Sequence, residues 1–242
     1  MYKLASSSFT LLCVLFATVQ PLAAYQAITV TNGGTITGIV KLSAPAPPVA
    51  PIKTTKNQDY CGKSIENPLY VVGKDGGVEN VEVFIKKIDR GKANSTGTIT
   101  LTNEHCMFHP RTQGANVGEQ VKIATEDPIL HNTHPQIAAT NATLYNIALP
   151  YKGFSVTKPL PNTPELIRVK CDVHEWMRAW IWVFDHPYYA TTDAEGHFKI
   201  TDVPAGTYTL VAWHEVMGQK EIPVTVASGK AATADFTFTP KK

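Results

Sequence analysis

Charge of one sign never accumulates in this chain. The 22 Lys and Arg stand against 20 Asp and Glu, a formal net charge of +2, and no block of like charge appears anywhere. Neither a basic stripe for nucleic acid nor an acidic tail is therefore present. Apolar runs are short as well. The longest, Phe9-Thr-Leu-Leu-Cys-Val-Leu-Phe-Ala17, falls well below what a bilayer-spanning helix requires. Helical periodicity is almost absent, so the segments that bury apolar residues must do so as strands. No serine–histidine or paired-carboxylate arrangement stands out, and the chain is not expected to be an enzyme. Cysteine is scarce, with 4 in 242 residues.

What is present begins with an export pattern. Residues 1–24 carry an early lysine, the short apolar run and the small residues Leu22-Ala-Ala24, which is the pattern of a secretory signal. The remaining chain is expected in a periplasm or outside the cell. Removing the signal takes Cys13 with it and leaves Cys61, Cys106 and Cys171. An odd number in an exported protein points to one disulfide and one thiol kept for another purpose. Parity favours Cys61 with Cys106, a closure that would stabilise the fold by roughly 3–4 kcal/mol. His105 and His109 flank Cys106 and leave a second metal site as the alternative.

The body of the chain reads as β-structure throughout. Residues 25–77 hold the alternating strand Thr35-Ile-Thr-Gly-Ile-Val-Lys-Leu42 and a stiff linker with prolines at 45, 47, 48 and 51, which a sheet interior would not accept. Residues 78–184 form a second region that opens on the alternating Val81, Val83 and Ile85. Within it Glu119–Ala124 reads as a strand and 127–134 as a loop. Pro164–Lys170 reads as a strand running into Cys171-Asp-Val-His174-Glu-Trp-Met177, with Ala179–Phe184 as the last strand. After Asp185 the texture changes to short strands joined by Asp-Gly and Pro-Gly turns, and residues 185–242 are a third region.

A thiolate, an imidazole and a thioether spaced three apart form a soft ligand set, which suits copper when a second imidazole joins it. His131, in Asp127-Pro-Ile-Leu-His131-Asn-Thr-His134, is the candidate. Together with Phe108-His-Pro110, Val117-Gly118 and His131-Asn132, the closing Cys171, His174 and Met177 resemble the cupredoxin family of small blue copper proteins. The likeness is strongest to its amicyanin and plastocyanin-like members. It implies a Greek-key β-sandwich over 78–184 and copper held by His131, Cys171, His174 and Met177. It also implies one-electron transfer to a redox partner that the sequence does not identify, with His174 as a partly exposed edge. Residues 192–238 are similar to the carboxypeptidase regulatory-like, transthyretin-type sandwich. That segment is short of strands, so the strand 35–42 is expected to pair with it. Two other functions are weighed: copper delivery without a redox role, and a structural or adhesive sandwich. His134, His109, His197 and His214 are read as structural or surface residues. Trp176, Trp180 and Trp182 are read as packing before any electron path.

Overall fold

The computed structural model of the chain describes residues 24–241. The expected export signal lies outside them, apart from Ala24. The chain is all-β, and the one helix among the described residues is the single turn Gln58–Cys61. No helix among them is long and apolar enough to cross a membrane.

The middle of the chain folds into an inner sandwich. One sheet runs in the order Ile147–Leu149, His131–Ile137, Glu165–Lys170, Arg178–Phe184, Thr112–Asn116. The facing sheet runs Ser155–Pro159, Gln120–Thr125, Thr98–Glu104, Met107–His109. Period-2 alternation explains the packing: Val121 and Ile123 are buried while Gln120 and Lys122 are exposed. They meet Leu101, Phe108, Ile167, Val169, Ile181 and Val183 in one core. The stretch read as a loop at 127–134 is a loop only to Leu130, because His131 opens a strand that registers on Leu149, and His134 opposite Lys170. Polar side chains are frequent in this stretch. Here those polar side chains find partners across the sheet, which is what lets them sit in a strand.

Both ends of the chain build an outer sandwich. Gly34–Leu42 is its central strand, with His197–Val203 antiparallel on one side and Ala231–Thr233 and Phe236–Phe238 parallel on the other. Neighbouring backbone approaches so closely at Gly38 that a Cβ would lie 1.9 Å from the Ala234 carbonyl oxygen. The second sheet runs Tyr189–Thr191, Glu82–Ile85, Gly206–His214, Gly218–Val226. The boundary read at residue 78 is thereby displaced. Val78, Val81, Val83 and Ile85 lie in the outer core with Ile36, Val40, Leu210 and Phe236, and the chain leaves this sandwich only after Gly91. Alternation marks a strand but not which sandwich claims it. In Glu82–Ile85 all four residues are buried, Val83 and Ile85 inward and Phe84 against the inner sandwich.

The contact between the sandwiches is aromatic. Phe84, Phe184 and Val211 are buried there beside Trp182, Tyr189 and Trp213. Trp213 lies 5.3 Å from Trp180 and 5.6 Å from Trp182 between ring centroids. Arg111 pairs with Glu215, both side chains buried, and Trp180 Nε1 donates to Glu215 Oε2 at 3.0 Å. Truncating the fully buried Ile36 to alanine should cost about 2–5 kcal/mol. Hydrogen exchange should then report lost protection in 197–238 ahead of 120–184. Equal loss in the two stretches would mean that the sandwiches do not unfold separately.

Candidate metal centre

The fold brings three of the four expected ligands to one end of the inner core. His131 begins its strand, Cys171 follows the end of Glu165–Lys170, and His174 lies on the short turn before Arg178–Phe184. One donor atom from each of these three buried residues lies within 4.8 Å of the other two. Cys171 Sγ is 3.8 Å from His174 Nδ1, and His174 Nδ1 is 3.0 Å from His131 Nδ1. Met177 is fully buried on the same turn, and its N–H donates to the His174 carbonyl at 2.9 Å, which closes the turn tightly.

The outer nitrogens explain why the inner ones are free. His131 Nε2 donates to Asp127 Oδ2 at 2.8 Å, and His174 Nε2 donates to Asn57 Oδ1 at 2.9 Å. Neither oxygen has a proton to offer in return, so each ring places its proton on Nε2 and its lone pair on Nδ1. Two such lone pairs 3.0 Å apart repel unless a cation, proton or metal lies between them. A carboxylate or amide oxygen behind each imidazole is the usual support of a metal-binding histidine. One thiolate and two imidazoles therefore fit a soft or borderline transition metal, copper foremost.

Electrostatics favour the deprotonated sulfur. Burial alone would raise the Cys171 thiol, but the adjoining His131 and His174 side chains and the N–H groups of Asn132 and His174 outweigh it and bring it down to about 6. Burial alone would likewise lower His131, yet Asp127 and Cys171 hold it above the usual imidazole range. Burial would raise the Asp127 carboxyl. His131, Tyr60 and the N–H groups of Cys106 and His105 outweigh it and keep Asp127 well below the usual carboxylate range.

Asp127 also anchors the turn beside the site. His105 and Cys106 both adopt left-handed backbone, φ 50° and 59°, a conformation that disfavours residues with a Cβ. The Asp127 carboxylate offsets this by accepting both N–H groups, at 2.7 and 2.9 Å. Cys106 is bonded to Cys61 across 45 residues of chain, and Cys171 is the free cysteine among the described residues. Cys106 Sγ, Asp127 and His131 also cluster, but a sulfur committed to a disulfide is not a thiolate ligand.

One expectation is corrected. His174 is not a partly exposed edge: its exposure is 0%. Asn57 and the one-turn helix behind it cover the outer face of the ring, and Trp176 packs beside it with ring centroids 5.0 Å apart. The half-buried Trp176 is what reaches solvent from this side. His134 bonds Asp172 and Thr143 instead of joining the site. His109 and His197 are exposed, and the buried His214 stacks on Tyr70.

Four supporting residues escaped the sequence reading. Asn132 ties the two ligand loops together, its Oδ1 accepting the N–H groups of Asp172 and Val173 at 2.7 and 3.1 Å. Its place directly after His131 was a usable signal. Asp127, four residues before His131, was another. Asn57 and Tyr60 had none, lying far upstream in a segment marked only by Cys61.

Residues 178–239 match the model of the carboxypeptidase regulatory-like domain. That match begins in the last strand of the inner sandwich, before the chain crosses outward. No curated protein matches the chain significantly. Among solved structures the chain is similar to amicyanin from Paracoccus versutus at 12% identity, over 36% of this chain and 81% of that one, with a TM-score of 0.32. A purple cupredoxin from Nitrosopumilus maritimus aligns at 15% identity over 36% of this chain and 99% of its own, TM-score 0.32. A copper-containing nitrite reductase from Thermus scotoductus aligns at 18% identity over 43% of this chain and 25% of its own, TM-score 0.31.

Proposed function

We propose that the chain is an exported copper protein that passes single electrons and catalyses no reaction of its own. The observation that carries this reading is the convergence of Cys171 Sγ with two Nδ1 lone pairs whose Nε2 protons are already committed to Asp127 and Asn57. Copper held there would supply a one-electron couple that a thiolate and two imidazoles stabilise in both oxidation states. The protein's own part is rigidity. Strand ends and a closed turn fix the donors, the core at their back excludes water, and Met177, buried on that turn, would offer a bound copper its thioether as a weak further donor. The disulfide supports export, since such bonds persist in oxidising compartments.

Complete burial of His131, Cys171 and His174 argues against a reacting substrate, because catalytic metal sites keep an open position. It argues equally against hand-over of copper, for which an acceptor's ligand must approach the metal. The half-buried ring of Trp176, adjoining His174, marks the face where a redox partner would come nearest.

Voltammetry of the copper-loaded protein tests the reading and should show a reversible one-electron wave. Met177→Gln replaces a thioether by a harder oxygen, which stabilises Cu(II) over Cu(I). The variant should lower the midpoint potential and retain copper. Absence of a reversible wave, together with rapid loss of copper to a chelator, would favour delivery instead. An unchanged potential in Met177→Gln would remove Met177 from the ligand set.

A further inference from the structure

The turn over the metal centre comes from outside the region that supplies the donors: Asn57 lies 117 residues before His174. Its local chemistry is unusual. Asn57 occupies the N-cap position of Gln58–Cys61 in left-handed conformation, φ 51° and ψ 39°, and makes no capping hydrogen bond. An asparagine there ordinarily accepts from the helix's own backbone N–H groups, a contact worth about 1 kcal/mol. Here the helix forgoes it, and the carboxamide oxygen is turned onto His174 Nε2. What holds the turn down is equally specific. None of its four residues is buried, so apolar packing does not anchor it. Its ties to the inner sandwich are the Cys61–Cys106 bond, the Tyr60 hydroxyl donating to Asp127 Oδ1 at 2.8 Å, and Asn57 itself.

We propose that Asn57 is a positioning residue for the metal donor His174, held over it by the Cys61–Cys106 bond, so that the intact disulfide sets how firmly the site keeps its metal. The proposal rests on the metal-binding reading above but not on electron transfer. Asn57 fixes the His174 proton on Nε2 and blocks ring rotation, leaving Nδ1 aimed inward. Without the disulfide the turn has only two exposed hydrogen-bonding side chains to keep it in place. It should then lift away and leave Nε2 to water.

The test compares Asn57→Ala, the double variant Cys61→Ser/Cys106→Ser, and the two combined, with Gln58→Ala as a control in the same turn. Each copper-loaded protein is mixed with a Cu(I) chelator under reducing conditions that leave the wild-type disulfide intact. Asn57→Ala and the cysteine double variant should each release copper about tenfold faster or more, the loss typical of removing a ligand's hydrogen-bond partner. The combined variant should be no faster than the cysteine variant alone, because the tether acts through Asn57. Gln58→Ala should match the wild type. Nitrogen-15 spectra of the metal-free protein supply a readout independent of copper: His174 should carry its proton on Nε2 in the wild type and become a tautomer mixture in Asn57→Ala. Asn57 is exposed, so its substitution leaves the core intact. Release within twofold of wild type with an unchanged tautomer would overturn the proposal. Multiplied rates in the combined variant would overturn the link between disulfide and Asn57. If the wild type binds no copper, the metal reading fails by itself, and the tautomer result alone decides whether Asn57 positions His174.

Discussion

Cys171→Ser should abolish the intense visible band of the copper-loaded protein, with no weaker band of similar energy in its place. It should also lower copper affinity by at least about 100-fold, more than the loss of a supporting hydrogen bond would give. The thiolate is the donor that gives copper(II) a low-energy charge transfer, and a serine oxygen does not replace it. The fold prepares that thiolate. Asn132 N–H and His174 N–H point at Sγ from 3.5 and 3.4 Å, and the thiol is brought down to about 6, which favours the thiolate form that a metal requires. A serine hydroxyl in the same pocket stays protonated. Absorption and EPR spectra before and after copper addition decide the matter. A colourless wild-type protein after full loading, or an unaltered band in Cys171→Ser, would sink the assignment.

The second large effect concerns stability and a residue remote from the metal. Glu82 is fully buried where the two sandwiches meet. Thr191 Oγ1 donates to its Oε2 at 2.6 Å, and a Cβ on Gly114 would lie 2.7 Å from its Oε1. Burial raises the carboxyl from 4.5 to about 8, and the Thr191 hydrogen bond only partly opposes it. The folded protein therefore keeps a proton that the unfolded chain loses. Below pH 4.5 both states are protonated and the group has no effect. Between about 4.5 and 8 stability should fall with rising pH, and above 8 the penalty is complete, on the order of 5 kcal/mol. Glu82→Gln removes the titration. Urea melts at pH 5 and pH 8.5 should show a much smaller loss between the two pH values in the variant than in the wild type. Parallel pH profiles would mean that Glu82 ionises in the folded state with a partner not apparent from its surroundings.

Much of this was legible from the residues, for a physical reason. Ligand type and spacing in Cys171-Asp-Val-His174-Glu-Trp-Met177 follow from local chain geometry, since one short turn must present all three side chains. The alternation of Val121 with Ile123 and of Ile36 with the residues around it follows from the strand repeat. Neither depends on distant contacts, so the all-β class and the spacing of Cys171, His174 and Met177 could be read without coordinates, whereas His131, distant in sequence, was a candidate by residue type and by the resemblance. What could not be read is non-local. The alternation of Val81, Val83 and Ile85 gave no hint that a second sandwich covers Glu82 between them. Its neighbours Val81 and Val83 were assigned to the wrong core for the same reason. Asn57 sits in a polar, proline-flanked segment whose only unusual feature is a cysteine three residues past the start of its helix. Its meeting with His174 depends on a loop closure that sequence spacing cannot foretell. The partly exposed His174 was inferred from its role, and the turn that carries Asn57 onto the ring is what reverses it.

The chain crosses between the sandwiches twice, inward beyond Gly91 and outward again at Asp185, and the two crossings are stitched side by side. Asn94 Nδ2 donates to the Asp185 carbonyl at 2.9 Å, Asn116 Nδ2 to the His186 carbonyl at 2.9 Å, and the Ser95 N–H to Asn116 Oδ1 at 3.1 Å. A module hung on one linker can swivel and reach for its partner on a flexible arm. One held by two adjoining chain segments, with an aromatic seam beneath them, has lost that torsional freedom. The candidate metal centre is thus mounted at a constant height and bearing on the outer sandwich. On the electron-transfer reading proposed above, a partner would have to meet this centre by whole-body diffusion and docking, since no flexible arm carries the centre towards it.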